Sequence, residues 1–381
     1  MTQKERIAST LVFFACVISI GSPTTFGGDL NPPSGVIQPT NRIAIYPQKI
    51  TTLPYTISQS GSYVLIGEIN AASFPGGSDG IVITASDVTL DMNGFALIGE
   101  AGSGSGISVP DNILNLRVTN GMIRDWGGSG VDAGDATNCR FADLVAVNNG
   151  ANGLRFGNHC NVSDCIASFN ATTGIFTGYF CTLSRCVSVY NGEGATVGHG
   201  FLVFSSSTVS ECVAYSNGSG AGGGHGIFAG GSTITHCYVG GNGSGSPTEN
   251  DGINASASAS VINCNASGNR GDGIEVSNQC LVRGNNCIAN GLNGDGAGIH
   301  VNNSSNRIED NNVTTQDRGL DVDGANNLII RNSATGNTVN YSIVVNNKVG
   351  MVVAAPNSAA INGSSGGAGL GTTDPWANFS Y

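Results

Sequence analysis

"CNVSDCIASFN" at Cys160–Asn170 is followed by "CTLSRCVSVYN" at Cys181–Asn191, and these two stretches decide the fold. In both, apolar and polar residues alternate over a few positions, the period-two signature of a β-strand. A cysteine opens each copy, a second follows five residues later, and an asparagine closes it five residues after that. "STVSECVAYSN" from Ser207, "STITHCYVGGN" from Ser232 and "ASVINCNASGN" from Ala259 repeat the pattern. Between copies a glycine precedes a β-former. The marker occurs at Gly80, Gly106, Gly130, Gly153, Gly174 and Gly200, then at Gly226, Gly252, Gly273, Gly298 and Gly319. The intervals run from 21 to 26 residues, room for three short strands and three turns. A leucine-rich repeat of similar length would need Leu-x-x-Leu-x-Leu and a helical half, and neither is present. The chain therefore reads as all-β: a right-handed parallel β-helix, a solenoid of about 12 coils. At the usual strand spacing of about 4.8 Å the rod would be roughly 55 Å long.

The period also sorts the side chains. After each marker glycine, positions +1 and +3 point inward, as at Ile81/Ile83, Leu154/Phe156 and Ile274/Val276. The middle of the second element supplies another inward file, Val162, Leu183, Val209, Ile234, Val261, Val282, Ile308 and Ile329. Asn149, Asn170, Asn191, Asn217, Asn242, Asn269, Asn290 and Asn337, with Gln316 in the one gap, predict an amide ladder at a tight turn. A side-chain amide both donates and accepts, so copies one coil apart can bond head to tail. Cys165, Cys186, Cys212, Cys237 and Cys264 form a thiol file, continued by Asn285, Asn311 and Asn332. Cys139, Cys160, Cys181 and Cys280 form another. Stacked interior thiols are the first reading. Disulfides between coils, such as Cys160 to Cys181, are the alternative.

The composition limits the function. Of 381 residues 58 are Gly and only 11% are charged, with a net charge of −11. No Lys/Arg run follows residue 6, which argues against nucleic acid and anionic bilayers as partners. Lys4 and Arg6, then an apolar run from Leu11 to Ile20, predict a secretory signal over residues 1–28 and no transmembrane segment. The expected localisation is secreted: extracellular, periplasmic or cell-envelope. Residues 29–79 read as an N-terminal segment and capping coil, including "LPYTISQSGSYVLIGEI" from Leu53. Residues 80–349 read as the β-helix, and 350–381 as a C-terminal cap and tail in which Trp376 and Phe379 cover the last coil.

The coil pattern and the phrase "VTLDMNGFALIG" at 88–99 resemble the right-handed β-helix superfamily that contains pectate lyases. Within it the chain is similar to secreted bacterial β-helix repeat proteins, including the copper-processing periplasmic type. The "LPYTISQSGSYVLIGEI" opening and "DPWANFSY" close resemble uncharacterised planctomycete-type members. The resemblance implies the fold and a polysaccharide or cell-surface glycan as partner. Characterised relatives are mostly polysaccharide lyases, hydrolases, esterases and epimerases. The lyases use clustered carboxylates for Ca²⁺ and an Arg or Lys base; polygalacturonases use Asn-Thr-Asp and Asp-Asp motifs. Neither motif occurs here, and no lyase basic signature is identifiable.

The outward residues at marker +2 give the candidate site. Phe176, Leu202, Phe228 and Asn254 form a substrate-binding row, apolar where solvent is expected, with Tyr179, Phe180 and Phe204 nearby in sequence. Either a sugar chain or a covering loop, such as the glycine-rich turns at 192–199 and 218–225, would account for them. Farther along, Glu275, His300 and Asp321 fall on one outward file. They are the candidate catalytic residues, with Glu275 and Asp321 as paired carboxylates, His300 as base or proton donor, and Arg318 to grip a uronate carboxylate. Asp272 and Asp323 are candidate metal ligands, with Asp295 in the same charged region. No cofactor is required; Ca²⁺ is the one considered, since it takes several hard oxygens. The competing reading is a non-catalytic structural, adhesion or envelope-associated rod, in which polar side chains merely face solvent and Asp-Gly serves as turn chemistry.

Overall fold

The computed structural model describes residues 42–380, apart from 75, 195–196, 246–249, 292–295, 355–359 and 364–373. The predicted signal, Asp295 and most of the loose tail lie outside the described residues. The described chain is a right-handed parallel β-helix of about a dozen turns. A 14-stranded sheet takes one strand per coil, from Tyr55–Ile57 to Ala360–Gly363, in unbroken sequence order. The other strands of each coil, such as Asn161–Ser163 and Ile166–Ser168, enter a 26-stranded sheet. All pairings run parallel, and their register matches the repeat: Val162 lies opposite Leu183, Ile175 opposite Phe201. A left-handed residue bends the chain between the two short strands, among them Asp164, Arg185, Glu211, His236 and Asn263. Asn and Asp enter that region most readily among non-glycine residues, and the other residues here pay a small strain.

The inward files are buried as the period predicts. Ile81, Ile83, Leu154, Phe156, Ile274 and Val276 are buried, as are all eight residues from Val162 to Ile329. The amide ladder forms. Asn170 Nδ2 donates to Asn191 Oδ1 at 2.8 Å, and Asn191 Oδ1 also accepts the Asn170 N–H at 3.0 Å. The same Nδ2 closes the turn on Ala146 O at 3.1 Å. Gln316 fills its gap by accepting the Asn290 N–H, and it passes the ladder to Asn337. This satisfies polar groups that would otherwise be buried without partners. A further ladder, Asn306–Asn327–Asn347, continues the file of Cys280.

The ten described cysteines are free and buried, so the interior-thiol reading stands over a Cys160–Cys181 disulfide. Cys160 N–H points at Cys181 Sγ at 3.3 Å, and the Cys165 thiol donates to Ser163 O. The thiols thus carry the same coil-to-coil bonds that amides carry in later coils, such as Cys264 N–H to Asn285 Oδ1.

At the N-terminal end Ile43–Ile45 pair in parallel with Tyr63–Leu65, inside the segment read as the capping coil. At the C-terminal end Trp376 and Phe379 are exposed, with the Arg331 guanidinium 5.1 Å from the centre of the Trp376 ring. Their neighbour Asn378 is buried, ends the file of Asn285, Asn311 and Asn332 by accepting from Asn332, and lies in a strand paired with Ser333–Ala334. Among the described residues no helix is long and apolar enough to cross a membrane.

Candidate functional site

The outward row forms in the expected register. Phe176 lies opposite Leu202, Leu202 opposite Phe228, Phe228 opposite Asn254 and Asn254 opposite Glu275. Glu275 then lies opposite His300, and His300 opposite Asp321. Side chains in such a file stand one strand spacing apart, about 4.8 Å. The aromatic end is uncovered: Tyr179, Phe180 and Phe204 are exposed, and Phe228 keeps 36% of its surface. The two glycine-rich turns bring His199 and His225 to it, whose rings stack on each other at 5.4 Å and on Phe228 at 5.2 and 5.4 Å. Phe204 packs edge-on to Phe176 at 5.3 Å and beside Tyr179 at 5.1 Å.

The residue before each marker glycine supplies a second line of contacts, which feeds the acidic end. His199 Nδ1 accepts the His225 N–H, and His225 Nδ1 accepts the Asp251 N–H at 2.9 Å. Asp251 Oδ1 then accepts the Asp272 N–H at 2.9 Å, and Asp272 Oδ1 accepts the Ala297 N–H. This line buries Asp251 and Asp272 beside the outward file.

Three assignments made from sequence change here. His300 does not bond to its register neighbours Glu275 and Asp321. Its Nδ1 faces Asp272 Oδ2 at 2.8 Å, and its Nε2 faces Asp323 Oδ2 at 3.3 Å. Asp321 points outward from the sheet yet is buried, because Arg318, three residues earlier, folds back and donates to its Oδ2 at 2.7 Å. It is therefore not an open partner carboxylate for Glu275, and Arg318 is already engaged. Asp251 was not singled out from sequence. Its signal was its place before Gly252, the position that His199, His225 and Asp272 hold before their own markers.

Glu275 sits in a cage of acceptors and amides. Asn254 Nδ2 donates to its Oε2 at 2.9 Å and to Asp251 Oδ2 at 2.8 Å, while Asn302 Nδ2 donates to its Oε1 at 2.5 Å. Burial, then the neighbouring Asp251 and Asp272 carboxylates, push the Glu275 carboxyl up to about 8. Asp251 is held below the usual carboxylate range: burial works to raise it, but His225 and Glu275 outweigh that. Asp272 is raised, chiefly by burial. His300 goes up to about 10: burial opposes its charge, and its bonds to Asp272 and Asp323 overcome that penalty. Near neutral pH the file thus presents a neutral carboxylic acid beside an imidazolium.

Among the described residues two groups have the composition and spacing to take a metal ion, with donor atoms within 4.8 Å of one another. They are Asp251, Asp272 and Glu275, and His300, Asp321 and Asp323. Asp272 and Asp323, the expected ligands, fall in different groups. The first group is all oxygen and suits Ca²⁺ by chemistry. Its oxygens are nevertheless engaged by Asn254, Asn302, His300 and backbone N–H groups. An ion would have to displace those donors and take the proton from Glu275.

Residues 188–335 match the family described as "Right handed beta helix region". A comparison with curated protein sequences gives no match. Among solved structures the chain is similar to the A-module of the Azotobacter vinelandii mannuronan C-5 epimerase AlgE6. The two are 15% identical, with a TM-score of 0.52 over 84% of this chain and 90% of that one. The A-module of AlgE4 from the same organism is 14% identical, with a TM-score of 0.44 over 73% and 91%. Pectate lyase Pel9A is 13% identical, with a TM-score of 0.36 over 76% and 68%. At these identities the likeness is one of fold.

Proposed function

We propose that this protein binds a polysaccharide along the outward face of the 14-stranded sheet and modifies it by proton transfer from the polymer to Glu275 and from His300 to the polymer. The observation that carries the reading is the single file itself. An apolar row of Phe176, Leu202 and Phe228, half-buried at the first two and exposed at Phe228, runs without a break through Asn254 into Glu275 and His300. Aromatic rings on a rigid sheet stack on sugar rings, and the two titratable groups have unlike properties on adjacent coils. Once Glu275 loses its proton it is a general base. His300, held charged by Asp272, is a general acid of higher pKa. This pairing replaces the Glu275–Asp321 pair expected from sequence.

A uronate-containing polymer fits the chemistry. Glu275 would withdraw the proton from the carbon beside the uronate carboxylate. His300 would return a proton, either to that carbon or to the departing glycosidic oxygen. The carboxylate itself would meet the positive charge of His300, Arg318 being held by Asp321. The fold shared with a mannuronan C-5 epimerase module supports this substrate class. Ca²⁺ at Asp251, Asp272 and Glu275 is not needed for any of these steps. Such a polymer lies outside the cytoplasm, in keeping with the export signal read in residues 1–28.

The non-catalytic rod is supported by a different observation: the oxygens of Asp251, Asp272 and Glu275 all accept bonds from within the protein. Screening polygalacturonate, mannuronan and a neutral glucan for unsaturated ends, reducing ends and changed uronate configuration separates the two. The proposal expects a product on a uronate polymer that Glu275→Gln abolishes. A chain that retains polymer but yields no product on any of them is the rod.

A further inference from the structure

A second binding feature lies away from this file, three coils or more toward the N-terminal end. It is an open groove of about 640 Å³ along the turn that carries the first part of the asparagine ladder. It crosses five successive coils, from Glu100 to Gly194, a run of roughly 20 Å at the strand spacing. The floor is glycine or alanine in every coil. Those small residues are set by coil packing: a Cβ at Gly150 would fall 2.2 Å from Gly127 O, and one at Gly194 would fall 2.7 Å from Ala171 O. The walls carry Glu100, Asp125, Asn148, Glu193 and the ring of Phe169. Among the described residues no Lys or Arg lines it.

Phe169 is exposed and left-handed, at φ 55°, and so is Tyr190 in the next coil, at φ 56°. Other coils fill this turn position with small or short polar residues, from Asp125 and Asn148 to Gly268 and Thr315. A bulky aromatic is a poor choice for that backbone. The two rings stack at 5.1 Å and 11°, and Tyr215, also exposed, stands edge-on to Tyr190 at 6.0 Å and 89°. The spacing of the rings is close to the length of one pyranose unit.

We infer that this groove and its aromatic strip form a glycan-binding site distinct from the Glu275–His300 file, and that its ligand is a neutral oligosaccharide. Carboxylates and amides accept and donate to sugar hydroxyls, and the rings take the apolar faces of the sugars. Asp125 is paired with Arg124, which stands outside the lining, and Glu100 and Glu193 leave the groove with net negative charge. That charge disfavours a uronate chain, so the groove and the file select different glycans.

The test is titration calorimetry of the whole protein with cellohexaose, mannohexaose, hexagalacturonate and hexalysine, with sedimentation to record the oligomeric state. At least one neutral hexasaccharide binds, and hexagalacturonate does not bind in the groove. Phe169→Ala and Phe169→Asn, the second keeping a residue suited to the left-handed turn, each weaken that binding at least tenfold. Glu275→Gln leaves it unchanged, so failure here is separable from failure of the catalytic reading. The inference is overturned if no neutral hexasaccharide binds, or if Phe169 variants with wild-type melting bind as before. It is also overturned if only hexalysine binds, or if the strip serves a dimer that Phe169→Asn dissociates.

Discussion

At the scale of the residue, His300 and Glu275 give the sharpest expectations. Both have raised values, so both bind a proton more readily in the folded chain than in the unfolded one. Glu275 contributes stability that is fully present below its ordinary value of 4.5 and is lost as the pH rises through about 8. His300 contributes stability fully present below 6.5 and lost as the pH rises through about 10. His199 runs the other way. Burial, then the neighbouring His225, lower it to about 3, so its contribution is present above 6.5 and lost as the pH falls toward 3. The melting temperature should therefore fall as the pH rises above about 6.5, where Glu275 and His300 both lose their contributions. It should fall again below about 4.5, where Glu275 no longer offsets the loss at His199. Glu275→Gln should flatten the limb between 6.5 and 8. A melting curve unchanged by Glu275→Gln from pH 5 to 9 would contradict the assignment. Asp272→Asn should lower the His300 value markedly, read directly from the imidazole resonances in an NMR pH titration.

The sequence showed which residues share the file, because a strict repeat and a two-residue period fix register. It did not show which side chains grip one another. Arg318 reaches back over Asp321, and His300 reaches sideways to Asp272 rather than along the file. Those choices depend on side-chain reach, which periodicity does not encode. Asp251 was hidden for a related reason, since an acid before glycine reads as turn chemistry until the turns are stacked.

At the scale of the element, the ladders are the units of stability. Asn191 accepts two bonds from Asn170 and donates to Asn217 Oδ1 and Ala167 O. Asn191→Ala would leave several buried groups unpaired, at about 1–3 kcal/mol each. The loss should be read by hydrogen exchange in the coils on either side of residue 191, with distant coils little affected, because solenoid coils couple mainly to their neighbours. Uniform loss of protection along the rod would contradict a local ladder. The thiols give a second check. In denaturant without reductant, the ten cysteines from Cys139 to Cys287 should all titrate as free thiols, and in the native protein none should react quickly. A shortfall of two would indicate a disulfide.

At the scale of the whole molecule, a rigid rod presents one face as a continuous track, and chemistry is expected where aromatic residues give way to titratable ones. With Glu275 as base above about 8 and His300 as acid below about 10, the rate should be bell-shaped in pH, with its maximum between those values. The most direct measurement is NMR of polygalacturonate and mannuronan incubated with the protein in deuterated water at about pH 9, a value between the two limbs. The account predicts deuterium at the carbon beside the carboxylate, or unsaturated ends, with Glu275→Gln and His300→Ala each slowing the reaction by about a hundredfold or more. No exchange and no new ends on either polymer, or full activity in the Glu275→Gln protein, would contradict it.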